Sequence, residues 1–357
     1  MSFSLLDILP VALIAVFLYK SKIVPKAQGI NGDYLSIQTS ISLRGILAIV
    51  VVFHHLAQKT TSGMLFAPFT RYGFLAVSAF MFLSGYGLQK SHMRSENYKR
   101  KFLLKRIPQV LFPYIIVIAL FWLMYAFDGK IYSFNDIAQT FVKGDPIAAY
   151  SWYIINILVF YVAYWLLMLM FRKRYLAMII GAVVWYGLYA AFCYKMGYPA
   201  YWYSSSNLVI IGMIWATYED KILYFVKKRY IPVTIISFVL FISLFIVKIN
   251  FEITLSRPIP LLLTMIVSIL FVLCVIMYSL KVKFGNRILE FLGKCSLEIY
   301  LVQGLFIIGL RGNRVFIDNE FLWAILTVAG SVALGFVLHV AFSKILRGYR
   351  KLLRLDK

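Results

Sequence analysis

The chain has 357 residues, of which 62% are hydrophobic and 14% charged, and its mean hydropathy is +0.82. This composition excludes an ordinary soluble protein of this size. The net charge of +23 does not require a nucleic-acid partner, because Lys and Arg collect in the cytoplasmic loops of membrane proteins. The three cysteines, Cys193, Cys274 and Cys295, lack metal-ligand spacing, so we expect no metal and no disulfide framework.

Eleven apolar segments predict an all-α fold, a polytopic integral membrane helical bundle of about 11 transmembrane helices. The first segment has no basic n-region and no small-residue cleavage site, so it predicts a retained helix rather than a signal peptide. No separate soluble domain is expected, because the polar stretches reach only about 20 residues. The predicted spans are about 5–19, 42–58, 72–88, 107–127, 152–170, 175–193, 204–218, 231–248, 259–280, 296–310 and 321–343.

The distribution of basic residues predicts the orientation of these spans. Of the 37 Lys and Arg residues, 27 fall in one alternating set of loops and nine in the other, and Arg44 is the remaining one. Since the positive loops of a membrane protein face the cytoplasm, we expect the N-terminus outside and the C-terminus inside. The loop at 128–150, which contains three aspartates, then falls on the outside.

The second span, "SLRGILAIVVVFHHL" at 42–56, carries residues that are costly inside a bilayer. Arg44 and His55 are eleven residues apart, which on an α-helix places them about 20° from one another and about 16 Å apart along the axis. His54 lies about 80° to one side of Arg44. The pair therefore indicates a polar path into the bilayer. An arginine that only snorkels and a histidine that only packs, or a proton-coupled transporter, fit the same geometry.

The spacing of Arg44, ten residues and His55 resembles the signature of the membrane-bound acyltransferase-3 family. Four later stretches resemble further motifs of that family in the same chain order, and together the five cover residues 42–303. These stretches are "GFLAVSAFMFLSGYGLQKS" (73–91), "FLLKRIPQVLFPY" (102–114), "SWYIINILVFYV" (151–162) and "FLGKCSLEIYLVQ" (291–303). The chain departs from the family pattern at Gln303, where a histidine is more usual, and at Gln109, where a second basic residue is frequent.

The resemblance divides the chain into two parts. Residues 1–41 form an extra N-terminal transmembrane helix with a cytoplasmic linker, and residues 42–357 form the acyltransferase-3-like transmembrane domain with its ten-helix core. The resemblance implies an integral membrane O-acyltransferase in a bacterial cytoplasmic membrane. Such an enzyme moves an acetyl or other short acyl group from cytoplasmic acetyl-CoA to a sugar hydroxyl. The acceptor is a surface polysaccharide or its lipid-linked precursor.

The resemblance also assigns the central roles. His55 is the catalytic residue, either as a general base or as the carrier of an acyl-imidazole. Arg44 binds the donor or steadies the thioester oxyanion. Lys105 and Arg106 meet the phosphates of coenzyme A, although both also fit ordinary cytoplasmic loop charges.

Several other side chains are candidates for holding the acceptor or supporting the site. Glu298 needs a partner inside an apolar span, and Arg44 and Lys294 are the two considered. Ser84 also fits a close helix contact, and Trp152 also fits an interfacial belt. The full set of supporting candidates is His54, Arg71, Ser84, Glu298, Tyr300 and Trp152.

The alternative function is a flippase or transporter of glycan or lipid that uses Arg44 and His55 as a polar path. Composition and topology fit both functions, but the five ordered motifs favour the enzyme. The remaining histidines, His92 and His339, are assigned no function at this level.

Overall fold

The computed structural model describes residues 2–25, 27, 29–251, 259–353 and 355, and within them the chain is a bundle of fourteen α-helices. A helix lies at each of the eleven predicted positions. The helices are α1 (Ile8–Leu18), α2 (Ile37–Ala57), α3 (Gly73–Arg94), α4 (Phe102–Phe127), α5 (Phe134–Val142), α6 (Trp152–Phe171), α7 (Tyr175–Lys195), α8 (Tyr201–Ser204), α9 (Leu208–Lys228), α10 (Tyr230–Phe251), α11 (Ile259–Lys281), α12 (Arg287–Lys294), α13 (Ser296–Gly309) and α14 (Glu320–Leu352).

Seven of the described helices are long and apolar enough to cross a membrane: α2, α4, α6, α7, α10, α11 and α14. An eighth is added if α12 and α13, which are bent by 74° where they meet, form one span. α1 is shorter than a span, while α3 and α9 carry polar and charged side chains along their length. The all-α membrane bundle is therefore confirmed, and the count of eleven spans stays a prediction.

The centre of the bundle is α3, which packs along α9 and α2. Its contact with α9 depends on glycine, because small residues allow helix backbones to approach closely. A Cβ atom on Gly85 would lie 2.0 Å from the carbonyl oxygen of Val209, and one on Gly212 would lie 2.3 Å from that of Phe82. The packing of α2 on α12 uses Gly45 in the same way. α2 and α3 also contact each other directly, so the two helices lie side by side.

The N-terminal segment is attached to the bundle at three places. A short antiparallel pair joins β1 (Lys22–Ile23) to β2 (Val282–Lys283). The side-chain amide of Asn286 donates to the carbonyl oxygens of Val16 and Tyr19, so the end of α1 is fastened close to α12.

The third attachment is the buried carboxylate of Asp7. It accepts backbone hydrogen bonds from Ser4 (2.9 Å), Met64 (3.1 Å), Leu65 (2.7 Å) and Phe66 (2.9 Å). Three of these donors belong to the loop between α2 and α3. Since hydrogen bonds to an ionised carboxylate are strong, Asp7 holds this loop in one conformation.

Replacing Asp7 should therefore destabilise the folded protein. We expect Asp7→Ala to lower the free energy of unfolding by about 2 to 4 kcal/mol, because buried N–H donors lose a charged acceptor. Asp7→Asn keeps one acceptor oxygen and should cost about half as much. Thermal unfolding of the full chain in detergent measures both. Equal stability of Asp7→Ala and the wild type would show that the loop does not depend on this carboxylate.

Candidate functional site

Two large cavities enter the bundle from opposite ends of α2 and α3. The first, the histidine cavity, has a volume of about 1190 Å³ and lies where α2 ends and α3 begins. It is lined by the two histidines of α2, by Arg71 before α3, and by Tyr150 and Trp152 at the start of α6. Arg71 and Trp152, both predicted to support the acceptor, lie here beside His55.

The second, the arginine cavity, has a volume of about 830 Å³ and lies where α2 begins and α3 ends. It is lined by Arg44 from α2, Lys90 and Arg94 from α3, and Arg106 from α4. The helix ends around it carry the loops that contain most of the Lys and Arg residues. The cavity therefore offers a concentrated positive charge.

The two cavities meet at a partition formed by Val51, Val77 and Tyr300, which line both of them. Sequence geometry placed Arg44 and His55 along one channel, and the structure places them in separate cavities instead. The reason is visible on α2. Val51 is seven residues after Arg44 and four before His55, so it lies on the same helix face and occupies the space between them.

The imidazole rings of the histidine cavity are joined by hydrogen bonds. Nδ1 of His54 lies 2.9 Å from the carbonyl oxygen of Phe69, and Nε2 of His54 lies 3.1 Å from the amide nitrogen of Gln58. The amide oxygen of Gln58 lies 3.5 Å from Nδ1 of His55. Gln58 was not predicted as a site residue, although it is three and four residues after the histidines, a spacing that brings helical side chains together.

Tyr150 is a second residue that the sequence did not reveal. Its ring stacks on that of His55, with centroids 3.9 Å apart and planes 25° apart. Its backbone has a φ of +67°, a conformation that non-glycine residues seldom adopt and that marks local strain. Its carbonyl oxygen accepts the hydroxyl hydrogen of Tyr300, and burial raises the pKa of the Tyr150 hydroxyl. Tyr150 thus connects the partition to His55.

Two carboxylates, Asp33 and Glu219, line the arginine cavity, and that of Glu219 is fully engaged. Glu219 of α9 forms an ion pair with Lys90 and accepts hydrogen bonds from Tyr34 and Tyr86, the latter at 2.9 Å. Burial and the hydrogen bond to Glu219 raise the pKa of Tyr34, so its hydroxyl remains a neutral donor. Glu219 therefore neutralises the charge of Lys90, and the other cationic side chains of the cavity remain available to a ligand.

Arg44, the predicted donor contact, lines the arginine cavity together with Arg106. No carboxylate among the residues that the structure describes forms an ion pair with either of them. Arg106 donates a 3.2 Å hydrogen bond to the hydroxyl of Tyr98. Two guanidinium groups in one cavity, neither of them ion-paired with a described carboxylate, are suited to a ligand with several negative charges.

The neighbouring Lys105 does not line the arginine cavity, whereas Arg106 does. Adjacent residues of a helix point about 100° apart, and here only Arg106 faces this space. Ser84 lines the cavity as well, but its hydroxyl donates to the carbonyl oxygen of Phe80 in its own helix at 2.9 Å.

Glu298 lies in neither cavity. Its side chain is buried against α14, where it is bonded to Nδ1 of His339 at 3.1 Å. The expectation that Arg44 or Lys294 would pair with it is therefore wrong, since α14 supplies the partner and His339 has a structural contact that its sequence position did not indicate. In the described part of the chain, no three His, Cys, Asp or Glu side chains come together as metal ligands.

A bundle of apolar helices with a cationic cavity and an imidazole cavity back to back is a membrane protein with two chemically distinct internal spaces. The acyltransferase-3 family model, described as an acyltransferase domain, matches residues 40–340. The chain belongs to this family, which confirms the resemblance, and it is a membrane acyltransferase. No curated protein and no solved structure matches the chain significantly.

Proposed function

We propose that the chain transfers a short acyl group, acetyl in the first instance, from acetyl-CoA to a sugar hydroxyl of a surface polysaccharide or its lipid-linked precursor. The observation that carries this proposal is the shared partition of Val51, Val77 and Tyr300. It lets a donor in one cavity and an acceptor in the other approach each other inside the bilayer.

The arginine cavity fits the donor. Coenzyme A carries several phosphate charges, and Arg44 and Arg106 present planar guanidinium groups that bind phosphate through paired hydrogen bonds. The cavity opens toward the loops that the charge asymmetry assigns to the cytoplasm, where acyl-CoA is made. The thioester end of the donor then points along α2 toward His55.

The histidine cavity fits a glycan acceptor. Its wall combines aromatic faces from Phe74, Trp152 and Tyr201 with the polar group of Arg71. Aromatic rings pack against the apolar faces of sugar rings while polar groups bind their hydroxyls. In the charge-based orientation this cavity faces outward, the side on which surface polysaccharide is exposed. The host in this proposal is bacterial and the location is its cytoplasmic membrane.

The proposed chemistry is a direct transfer with His55 as general base. The imidazole takes the proton of the acceptor hydroxyl as its oxygen attacks the thioester carbonyl. The new carbon–oxygen bond forms, the carbon–sulfur bond breaks, and the imidazolium returns its proton to the departing thiolate of coenzyme A. Transfer through an acyl-imidazole on His55 gives the same products in two steps, and exchange of label between coenzyme A and acetyl-CoA without acceptor would reveal it.

The donor assignment is tested with inside-out membrane vesicles of the host and radiolabelled acetyl-CoA. The wild type should place alkali-labile label on membrane glycan. Arg44→Gln should raise the KM for acetyl-CoA about tenfold or more, since a lost charged hydrogen bond costs about 1.5 to 3 kcal/mol. Lys105→Gln is the matched control and should leave the KM unchanged, because Lys105 does not line the cavity. A wild-type protein that consumes no thioester, or equal effects of the two substitutions, would contradict the proposal.

A further inference from the structure

The side chain of Gln58 bridges the two histidines at the end of α2. Its amide nitrogen is 3.1 Å from Nε2 of His54, and its amide oxygen is 3.5 Å from Nδ1 of His55. Gln58 itself is the residue that caps α2, and its backbone N–H donates to the carbonyl oxygen of His54. A single side chain therefore contacts one nitrogen of each ring.

The hydrogen positions in this bridge follow from the contact between His54 and the backbone of Phe69. The carbonyl oxygen of Phe69 can only accept, so Nδ1 of His54 must carry hydrogen and donate to it. Nε2 of a neutral His54 is then an acceptor and takes a hydrogen from the amide nitrogen of Gln58. With its nitrogen turned to His54, Gln58 presents its oxygen to His55.

The contact with Gln58 also determines the state of His55. Facing an amide oxygen, Nδ1 of His55 carries the hydrogen, and in the neutral ring Nε2 holds the lone pair. No described residue hydrogen-bonds to this Nε2, and His55 lines the histidine cavity. The atom left for the acceptor hydroxyl is therefore a basic nitrogen.

We propose that Gln58 is a positioning residue for the acyl transfer: together with His54 it holds His55 in the tautomer whose Nε2 accepts the acceptor proton. This inference rests on the proposed function, because it assumes that His55 is the base. His55 donates to Gln58, Gln58 donates to His54, and His54 donates to the carbonyl oxygen of Phe69. Because this oxygen can only accept, it sets the direction of the whole series.

Packing around the rings keeps this arrangement in place. A Cβ atom on Gly73 would lie 2.3 Å from Cδ2 of His54, so the absence of a side chain at the start of α3 makes room for the His54 ring. On the other side the ring of Tyr150 covers that of His55 at 3.9 Å. With both rings confined, Gln58 has to fix only the hydrogen positions.

The experiment compares three variants in the vesicle assay with varied acetyl-CoA. Gln58→Met keeps the length of the side chain but has no amide oxygen for Nδ1 of His55. We expect its kcat to fall about 10- to 100-fold, while the KM for acetyl-CoA stays unchanged. The loss is smaller than the full effect of a positioned base, which is about 10²- to 10⁴-fold, because His55 is still present. Gln58→Glu retains an acceptor oxygen and should recover most of this loss. His55→Ala tests the base itself.

The outcomes separate the two proposals. If His55→Ala is inactive and Gln58→Met is fully active, the positioning role is wrong and the proposed function stands. If His55→Ala is as active as the wild type, the base assignment fails and the role of Gln58 fails with it. Equal losses in Gln58→Met and Gln58→Glu, or a rise in KM, would show that Gln58 acts through packing or donor binding instead. Equal membrane levels of all variants are confirmed first.

Discussion

Replacement of His55 by alanine is expected to reduce acetylation of the host's surface glycans by at least about a hundredfold. The reduction is large because general-base catalysis contributes about 10² to 10⁴ to the rate, and the histidine cavity offers no second free imidazole in the described part of the chain. His54, the other ring, is engaged through both nitrogens.

The measurement is alkali-labile acetate on the surface glycans of a deletion strain complemented with each variant. His339→Gln is a suitable control, because His339 is also a helical histidine, lies in neither cavity, and glutamine can still donate to Glu298. It should retain acetylation within about twofold, because neither cavity loses a lining residue and the contact with Glu298 is kept. Normal acetate from His55→Ala at equal membrane levels would remove His55 from the chemistry.

The second large effect concerns stability. Gly85→Ala should destabilise the bundle by at least about 1 to 3 kcal/mol, because the added methyl group would lie 2.0 Å from the backbone carbonyl oxygen of Val209. A backbone atom inside a helix cannot rotate away as a side chain can. The helices α3 and α9 must then separate, which would also displace the part of α3 that lines the arginine cavity.

Gly87 supplies the matched control, since it lies in the same helix and a Cβ atom there would meet nothing within 4 Å. Alanine favours helix over glycine by about 1 kcal/mol, so Gly87→Ala should be as stable as the wild type or more stable. The midpoint of thermal unfolding in detergent, followed by tryptophan fluorescence, distinguishes the two. If Gly87→Ala lowered the midpoint as much as Gly85→Ala does, contact between α3 and α9 would not be the cause of the destabilisation.

The positions of eleven of the fourteen described helices were predictable from the sequence, because a chain in a bilayer must satisfy its backbone hydrogen bonds within each apolar segment. The number of spans was harder to predict, as α3 and α9 show. Gln89 of α3 donates to Thr217 of α9 at 3.0 Å and accepts from Tyr164 at 2.8 Å. Polar groups that find partners inside the bundle lower the hydropathy of a helix, and hydropathy alone does not reveal those partners.

The candidate site was predictable only where its residues share one helix. The spacing of Arg44 and His55 placed both on one face of α2, but it did not reveal that each lines a separate cavity. Tyr150 gave no signal, because its strained φ and its place in a loop follow no period. Which of Lys105 and Arg106 faces the cavity depends on how α4 is rotated, and that rotation is set by tertiary packing.

The partition of Val51, Val77 and Tyr300 also affects how well the membrane is electrically insulated at this protein. Two water-accessible spaces approach from opposite ends of the bundle, so at this point the insulating layer is one layer of side chains rather than a full bilayer. Most of the transmembrane potential then falls across these three residues, and a charge that crosses them experiences nearly the whole field. In the proposed reaction an uncharged acyl group passes through this layer, which must still hold back protons and ions. Two valines and a hydroxyl that is already bonded to Tyr150 offer no partner to a crossing ion. Because an unpartnered ion is costly to bury, this thin barrier prevents ion leakage.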